Sequence, residues 1–134
     1  VIHINLSMPT AFSWITYVGL AVWTVGFLFE SIGDAQLKAH LSDPDNKGVL
    51  MTSGVWQYTR HPNYFGEATQ WWGIFIIALG TMFGWVGIIT PVLITYLLLA
   101  VSGVPLTESR FEGRRGWAAY KNRTSKFIPL PPKK

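Results

Sequence analysis

Two long uncharged stretches dominate the pattern of apolar and polar positions along the chain. Residues 1–29 contain no Asp, Glu, Lys or Arg, and residues 68–107 contain none either. An uncharged apolar run longer than about 18 residues is typical of a transmembrane helix. The first run is long enough for one such helix, and the second is long enough for two. The pattern therefore predicts an all-α integral membrane protein with about three transmembrane helices.

Helix signals refine the positions of the three spans within one membrane domain, residues 1–134. A helix is expected to begin near Pro62, because proline suits the first turn of a helix, where its missing N–H costs no hydrogen bond. An uncharged turn at residues 80–85 separates the second span from the third. The predicted spans cover about residues 9–30, 67–83 and 85–106.

Charged residues lie in two segments, one that extends from Glu30 to Glu67 and contains a loop (residues 31–66), and a basic tail (residues 107–134). With three spans these segments share one side of the membrane, and together they hold every Lys and Arg of the chain. Cytoplasmic loops carry an excess of basic residues, so both are expected on the cytoplasmic side, or on an equivalent side such as the matrix. The protein is therefore predicted to be multi-pass, with membrane lipids as its surroundings and no nucleic-acid partner.

Composition excludes several kinds of chemistry. The chain contains no cysteine, so a disulfide framework, a zinc-thiolate site and a thiol nucleophile are all impossible. The histidines and carboxylates lack the usual ligand spacing, and no metal site is predicted. There is also no glycine-rich phosphate loop and no G-x-S-x-G nucleophile motif. The first apolar run is too long for a signal-peptide core and has no basic region before it.

The segment TRHPNYFGE places dense polar chemistry at the edge of the second uncharged run. Arg60 suits a phosphate or a carboxylate through its planar guanidinium, and His61 can exchange a proton near neutral pH. Asn63 and Tyr64 add hydrogen-bond donors, and Glu67 can hold a hydroxyl or an amide. This set of groups predicts a site for a large, polar, anionic cofactor whose reactive end reaches into the lipid.

The segment GVWQYTRHPNYFGEATQWWG resembles the signature of the C-terminal region of the steroid 5-alpha-reductase superfamily, and is closest to its uncharacterised reductase-like branch. Glu30, Asp34 and Gln36 resemble a Glu-x-x-x-Asp-x-Gln pattern on the preceding helix. The tail resembles the closing segment of the family, which ends in Phe-Ile-Pro. The Arg-His-Pro-x-Tyr-x-Gly core is also similar to that of the related isoprenylcysteine carboxyl methyltransferases, which bind S-adenosylmethionine.

The resemblance implies that NADPH is the cofactor, with S-adenosylmethionine as the alternative. It assigns no catalytic residue. The positions expected to contact NADPH are Asp34, Arg60, His61, Asn63, Tyr64 and Glu67, and basic tail residues expected at its phosphates include Arg110, Arg114, Arg115 and Arg123. The substrate would be an apolar lipid in a cavity lined by Trp71, Trp72 and Tyr96, residues that equally fit an interfacial aromatic belt.

Three functions are therefore compared. The first is an NADPH-dependent reductase of a C=C bond in an apolar lipid or steroid-like molecule, and the second is a methyltransferase that uses S-adenosylmethionine. The third is a non-catalytic structural subunit with partner membrane subunits. Members of the resembled family are about twice as long and carry additional N-terminal helices that supply a substrate-polarising Glu and Tyr, so the chain is expected to lack those helices.

Overall fold

The computed structural model describes residues 9–81 and 83–133, with side chains described from Trp14 onward. The short lead before the first predicted span, residues 1–8, lies outside the described residues. Within the described ranges the fold is helical, and the only β-type pairing there is an isolated parallel bridge between Thr59 and Ser125. The helices are α1 (Pro9–Ser42), α2 (Pro62–Ala78), α3 (Ile89–Tyr96), α4 (Val104–Phe111) and α5 (Trp117–Arg123).

Helix α1 extends past the first uncharged run into the segment assigned above to the loop. Its charged end is helical to Ser42, after which the Asp43 side chain accepts a hydrogen bond from the backbone N–H of Asp45 at 2.9 Å. Short 3₁₀ turns at Pro44–Asn46 and Gly54–Gln57 interrupt the irregular loop that follows. Helix α2 begins at Pro62, as the sequence predicts.

Among the described residues, two helical segments are long and apolar enough to cross a membrane. They are Trp14–Ser42, with a mean hydropathy of 1.5, and Gly84–Phe111, with a mean hydropathy of 2.1. Helix α2 has 17 residues and is about 26 Å long at 1.5 Å per residue, slightly less than the roughly 30 Å hydrocarbon core of a bilayer. The all-helical fold and its membrane-length helices are confirmed.

The segment predicted as a third continuous span is a chain of different helical turns. A 3₁₀ turn (Gly84–Ile88) leads into α3, and a π-helical turn (Leu97–Val101) follows it. The backbone N–H of Ser102 donates to the carbonyl of Leu97 at 2.8 Å, which is the wide i→i+5 closure of a π turn. The helix resumes as α4 after Gly103.

Helices α1 and α2 pack at glycines. A Cβ placed on Gly26 would lie 2.6 Å from the carbonyl oxygen of Gly66, and a Cβ on Gly73 would lie 2.6 Å from the backbone nitrogen of Trp23. Real side chains do not tolerate these distances to backbone atoms, so only glycine permits such close helices. Small residues at helix interfaces are typical of membrane helices, where close backbone approach supplies van der Waals contact.

The buried core lies at one end of this helical pair. Its apolar members include Trp56 from the loop, Val104 from α4, and Trp117 and Tyr120 from α5. The membrane-length helices themselves bury little, since only 11% of the most apolar window of each is buried inside the fold. The apolar sides of these helices therefore need a non-aqueous neighbour, whereas the packed end can face water.

Candidate functional site

The C-terminal tail closes over the loop and holds the start of α2 in place. The Arg60 backbone N–H donates to the carbonyl of Ser125 at 2.8 Å, and the Leu130 N–H donates to the carbonyl of Tyr58 at 3.0 Å. The buried Tyr120 hydroxyl donates to the carbonyl of Trp56 at 2.6 Å. Burial raises the pKa of the Tyr120 hydroxyl, which keeps it protonated as a donor. Loop and tail thus form one polar unit.

The centre of this unit is a buried carboxylate that joins two predicted site residues. The carboxylate of Glu108, on α4, accepts hydrogen bonds from Arg60 Nη1 and from His61 Nε2, the latter at 3.1 Å. The Arg60 and His61 side chains are 7% and 2% exposed, and Glu108 is 12% exposed. A charge this deeply buried requires a partner, and Arg60 and Glu108 provide that partner for each other.

His61 is held on both sides by neighbours from different helices. Its ring stacks on Tyr64 with 5.4 Å between ring centroids, and the Tyr64 hydroxyl lies 2.8 Å from the hydroxyl of Thr107. Burial lowers the pKa of His61, the hydrogen bond to Glu108 opposes this shift, and the charges of Arg60 and Lys126 add to it. The imidazole is therefore neutral near pH 7, with its proton on Nε2 facing Glu108.

Arg60 also has donor capacity that the protein does not use. Its guanidinium lies over the Trp117 ring, 5.5 Å from the centroid, which is favourable cation–π geometry. Its Nε is buried and has no hydrogen-bond partner among the described residues. A buried donor without a partner is energetically costly, so Arg60 has a reason to bind a further acceptor.

A first cavity of about 310 Å³ opens beside these residues. Four of the predicted cofactor ligands, Arg60, His61, Asn63 and Tyr64, line it from the start of α2. Arg110 lines it from α4 and Arg114 from the segment after α4, so six of the ten residues predicted to contact the cofactor converge here. The remaining lining comes from the end of α1, the loop and the tail, namely Leu37, His40, Leu41, Val49, Leu50, Met51, Trp56, Thr107, Phe111 and Tyr120.

A second cavity of about 470 Å³ lies on the other side of the loop segment that contains Val49 and Leu50, which line both cavities. Its basic residues are Arg115 and Arg123, and Ala119 and Thr52 are among the others that line it. The predicted phosphate-binding arginines are therefore divided: Arg110 and Arg114 belong to the first cavity, whereas Arg115 and Arg123 belong to the second.

The structure separates Asp34 and Glu67 from the other predicted ligands. Neither lines the first or the second cavity. Asp34 lies on an exposed position of α1, and Glu67 faces a separate cavity that it shares with Glu30 and Gln70. Glu67 shares this cavity with Glu30 because α1 and α2 pack closely at their glycines. The close approach at Gly66 brings the backbone and Cβ of Glu30 next to α2.

The aromatic residues predicted to line a substrate cavity also lie apart from the first cavity. Trp72 Nε1 donates to the hydroxyl of Thr95 at 3.0 Å, which links α2 to α3. Trp71 and Tyr96 are exposed on the apolar helices. Within the part of the chain that the structure describes, no group of three or more His, Asp or Glu side chains could hold a metal ion.

Glu108 and Thr107 bond predicted site residues, although the sequence predicted no site role for either of them. They lie next to each other where α4 meets the first cavity, and each bonds a member of the TRHPNYFGE segment. One signal was present, since Glu108 is the first charged residue after the second uncharged run, just as Glu67 is the last one before it. The signal was insufficient because only the return of the chain through α3 and α4 brings Glu108 to His61.

We expect stability to depend on pH through His61. Because its pKa in the folded state is lower than in the unfolded state, the unfolded state binds more protons between the two values. The stabilisation from the neutral ring is thus complete above the ordinary histidine pKa of about 6.5 and is lost as pH falls towards the folded-state value. Thermal unfolding between pH 5 and 8 should show a falling melting temperature in acid.

Substituting His61→Gln should reduce this acid sensitivity. The control is His40→Gln, which removes an imidazole that bonds the backbone carbonyl of Val49 rather than the carboxylate of Glu108. This variant should keep most of the acid sensitivity of the wild type. Equal acid sensitivity in the wild type and the His61→Gln variant would show that another group controls the pH response.

Together, the fold and the site define a helical protein with membrane-length helices and a polar, basic ligand cavity at one end. A family model described as "Protein of unknown function (DUF1295)" matches residues 1–124. The chain belongs to this family, which is the steroid 5-alpha-reductase-like family. Searches of curated proteins and of solved structures found no match.

Proposed function

We propose that the protein is a membrane-embedded reductase that uses NADPH to reduce a C=C bond of an apolar lipid. The observation that carries the proposal is the convergence of Arg60, His61, Asn63, Tyr64 and Arg110 on one cavity. Family membership supports a steroid reductase-like membrane protein, and the polar and cationic lining supports an anionic nucleotide as the ligand.

The path of the chain supports three membrane passes. Helix α1 leads to the loop, α2 leads away from it, and Gly84–Phe111 brings the chain back to Glu108, which contacts the loop residues Arg60 and His61. If α1 crosses a bilayer, the other two segments must cross it as well, with a slightly short α2 accommodated by local thinning of the bilayer. The basic loop and tail then share the cytoplasmic or matrix side.

The two adjoining cavities fit a dinucleotide in two parts. Small-molecule sites usually have volumes of roughly 300–1,000 Å³, and each cavity alone lies near the low end of that range. A ligand that spans Val49 and Leu50 would reach two arginines on each side of them, as a cofactor with separate phosphate groups requires. NADPH, when bound, would supply a hydride to the substrate.

The chain's own residues would bind and orient this cofactor. Arg110 and Arg114 can pair with phosphate oxygens, and the Arg60 Nε offers one further donor. Glu108 would hold His61 and Arg60 in fixed positions and so shape the wall of the cavity before the cofactor arrives. The exposed apolar faces of α1 and α3 provide the route by which an apolar lipid substrate approaches.

The size of the first cavity also supports a second function. A volume of about 310 Å³ suits a ligand with a single nucleoside, and S-adenosylmethionine is of this kind. A methyltransferase would use the first cavity alone and would not need the arginines of the second. A structural subunit without a cofactor would need neither cavity.

Substituting both Arg110→Gln and Arg114→Gln should weaken NADPH binding at least tenfold, because charge-assisted hydrogen bonds contribute about 1.5–3 kcal/mol each. The measurement is calorimetric titration of the detergent-purified protein with NADPH and, separately, with S-adenosylmethionine. Lys38→Gln with Lys47→Gln removes two exposed cations outside both cavities, and this control should bind NADPH normally.

If the wild-type protein binds S-adenosylmethionine but not NADPH, the reductase proposal is wrong and the methyltransferase is the supported function. Binding of neither cofactor, by protein that still unfolds cooperatively, would favour the structural subunit.

A further inference from the structure

A third cavity, distinct from the two already described, lies between the end of α5 and the tail. It has a volume of about 320 Å³. It is closed by a hydrogen bond from the Lys133 backbone N–H to the carbonyl of Arg123 at 2.8 Å. Its basic residues are Arg60, Lys121, Arg123, Lys126 and Lys133, and no acidic residue is among those that line it. The excess of positive charge indicates an anionic ligand.

Two buried polar atoms of lining residues strengthen this indication. Arg60 and Thr124 both line the cavity and are 7% and 4% exposed. Arg60 Nε and Thr124 Oγ1 have no hydrogen-bond partner within the described ranges. Buried polar atoms are nearly always hydrogen-bonded, and an unpaired one indicates a ligand or water that completes its bonding. A tetrahedral oxyanion in this cavity can accept from the Thr124 hydroxyl, whereas the Arg60 Nε is the donor already assigned to the first cavity.

Three of the basic lining residues, Arg123, Lys126 and Lys133, have no acidic partner among the described residues. Lys121 lies 3.7 Å from Glu112, and Arg123 lies over the Tyr120 ring. In contrast, Lys126 and Lys133 form no ion pair with any described residue. These two lysines belong to the tail itself, so a bound anion would fasten the tail to α5.

The position of the cavity relative to the apolar helices identifies the source of the anion. Phe127, between the two lysines, packs against Phe65 in the first turns of α2 with 5.7 Å between ring centroids. Ile128 and Leu130 remain 61% and 54% exposed. If α2 crosses the bilayer as proposed above, these residues lie at its water-side end, where lipid headgroups carry their phosphates.

We propose that the third cavity binds the headgroup phosphate of an anionic phospholipid, with Lys126, Lys133 and Thr124 as its main ligands. The exposed side chains of Ile128 and Leu130 would lie among the adjoining acyl chains. The lipid would hold the tail against Arg60 and thereby stabilise the wall of the first cavity. The proposal rests on the proposed membrane placement, but it does not depend on which cofactor the first cavity binds.

The test is thermal unfolding of the protein in a non-ionic detergent, titrated with phosphatidylglycerol, phosphatidylcholine or inorganic phosphate. Phosphatidylglycerol should raise the melting temperature in a saturable manner, and phosphatidylcholine should not. Lys126→Gln with Lys133→Gln should lower the apparent affinity for phosphatidylglycerol at least tenfold. Lys38→Gln with Lys47→Gln serves as a control that removes the same charge elsewhere.

Equal effects of the two lipids would overturn the proposal, and so would equal stabilisation by inorganic phosphate, which would indicate a site for a soluble anion. NADPH titration of the same variants separates this site from the cofactor site. If, in lipid-free detergent, Lys126→Gln with Lys133→Gln weakens NADPH binding as much as it weakens phosphatidylglycerol binding in the lipid titration, the third cavity belongs to the cofactor site and the lipid proposal fails. If the wild-type protein binds phosphatidylglycerol but does not bind NADPH, only the proposed reductase activity is overturned, and the lipid proposal stands.

Thr124→Val provides a second variant that keeps the side-chain volume. Because it removes a buried hydroxyl that has no partner, the lipid-free protein should be as stable as the wild type or more so. Its affinity for phosphatidylglycerol should nevertheless fall severalfold. Unchanged lipid affinity in this variant would exclude Thr124 from the site and contradict the assignment of its hydroxyl.

Discussion

Glu108→Ala should destabilise the protein by about 3–5 kcal/mol and abolish measurable cofactor binding. The substitution leaves the Arg60 guanidinium buried without its carboxylate, and breaking a buried pair on one side carries a cost of this size. It also removes the acceptor for His61 Nε2, so the wall of the first cavity loses its fixed shape. Chemical unfolding in detergent measures the stability, and titration with NADPH measures the binding.

A matched control is Glu112→Gln, which removes a 64% exposed charge 3.7 Å from Lys121 but keeps an oxygen that accepts the hydrogen bond of Trp117 Nε1. Exposed ion pairs contribute roughly 0–1 kcal/mol, so this variant should remain close to the wild type. Combining Arg60→Met with Glu108→Leu removes both charges and should recover much of the stability without recovering the cofactor site. If Glu108→Ala lowers the free energy of unfolding by less than about 1 kcal/mol, the Arg60–Glu108 pair is solvated and does not organise the site.

Gly26→Leu should prevent α1 and α2 from packing. We expect the free energy of unfolding to fall by more than about 3 kcal/mol, or the protein to fail to fold. Even a Cβ at this position would lie 2.6 Å from the carbonyl oxygen of Gly66 and 2.7 Å from the backbone nitrogen of Gln70. Rotamer changes cannot relieve a clash with backbone, so the helices must separate, which exceeds the usual 1–3 kcal/mol cost of overpacking. The yield of monodisperse protein and its melting temperature report the effect.

The comparison variant is Gly87→Ala, because a Cβ there would meet only the ring of Phe75 at 3.9 Å. This distance is an ordinary van der Waals contact, and the variant should match the wild type. Separation of α1 from α2 would also move Pro62 away from Gly33, where a Cβ would lie 3.1 Å from the proline ring, and would thus disturb the start of α2. If Gly26→Leu folds and binds ligand normally, the close helix contact does not position the site.

Local chemistry determined much of the candidate site. Arg60, His61, Asn63 and Tyr64 lie within five residues at the start of α2, so the sequence alone places them near one another, and the structure brings all four to one cavity. Glu67 is only four residues beyond Asn63, yet it faces a different cavity. That division depends on where α1 crosses α2, which the spacing of polar residues along one helix does not reveal.

The seven-residue spacing of Gly19, Gly26 and Gly33 is visible in the sequence, but its meaning depends on a partner helix. It becomes a contact surface only because Gly66 and Gly73 lie opposite, at the same spacing on α2. Isolated glycines in an apolar run do not show which face of the helix is buried. The pairing of α1 with α2 is therefore a property of the folded chain.

The sequence by itself determined the helical class, the membrane-length apolar segments, the start of α2 and the grouping of charged residues at one end. These features follow from composition and from local backbone preferences, which act over a few residues. Only the tertiary structure placed Glu108 between Arg60 and His61, broke the third segment into successive helical turns, and closed the tail over the loop. Each of these depends on contacts between residues far apart in sequence, whose free energy exists only once the helices have packed.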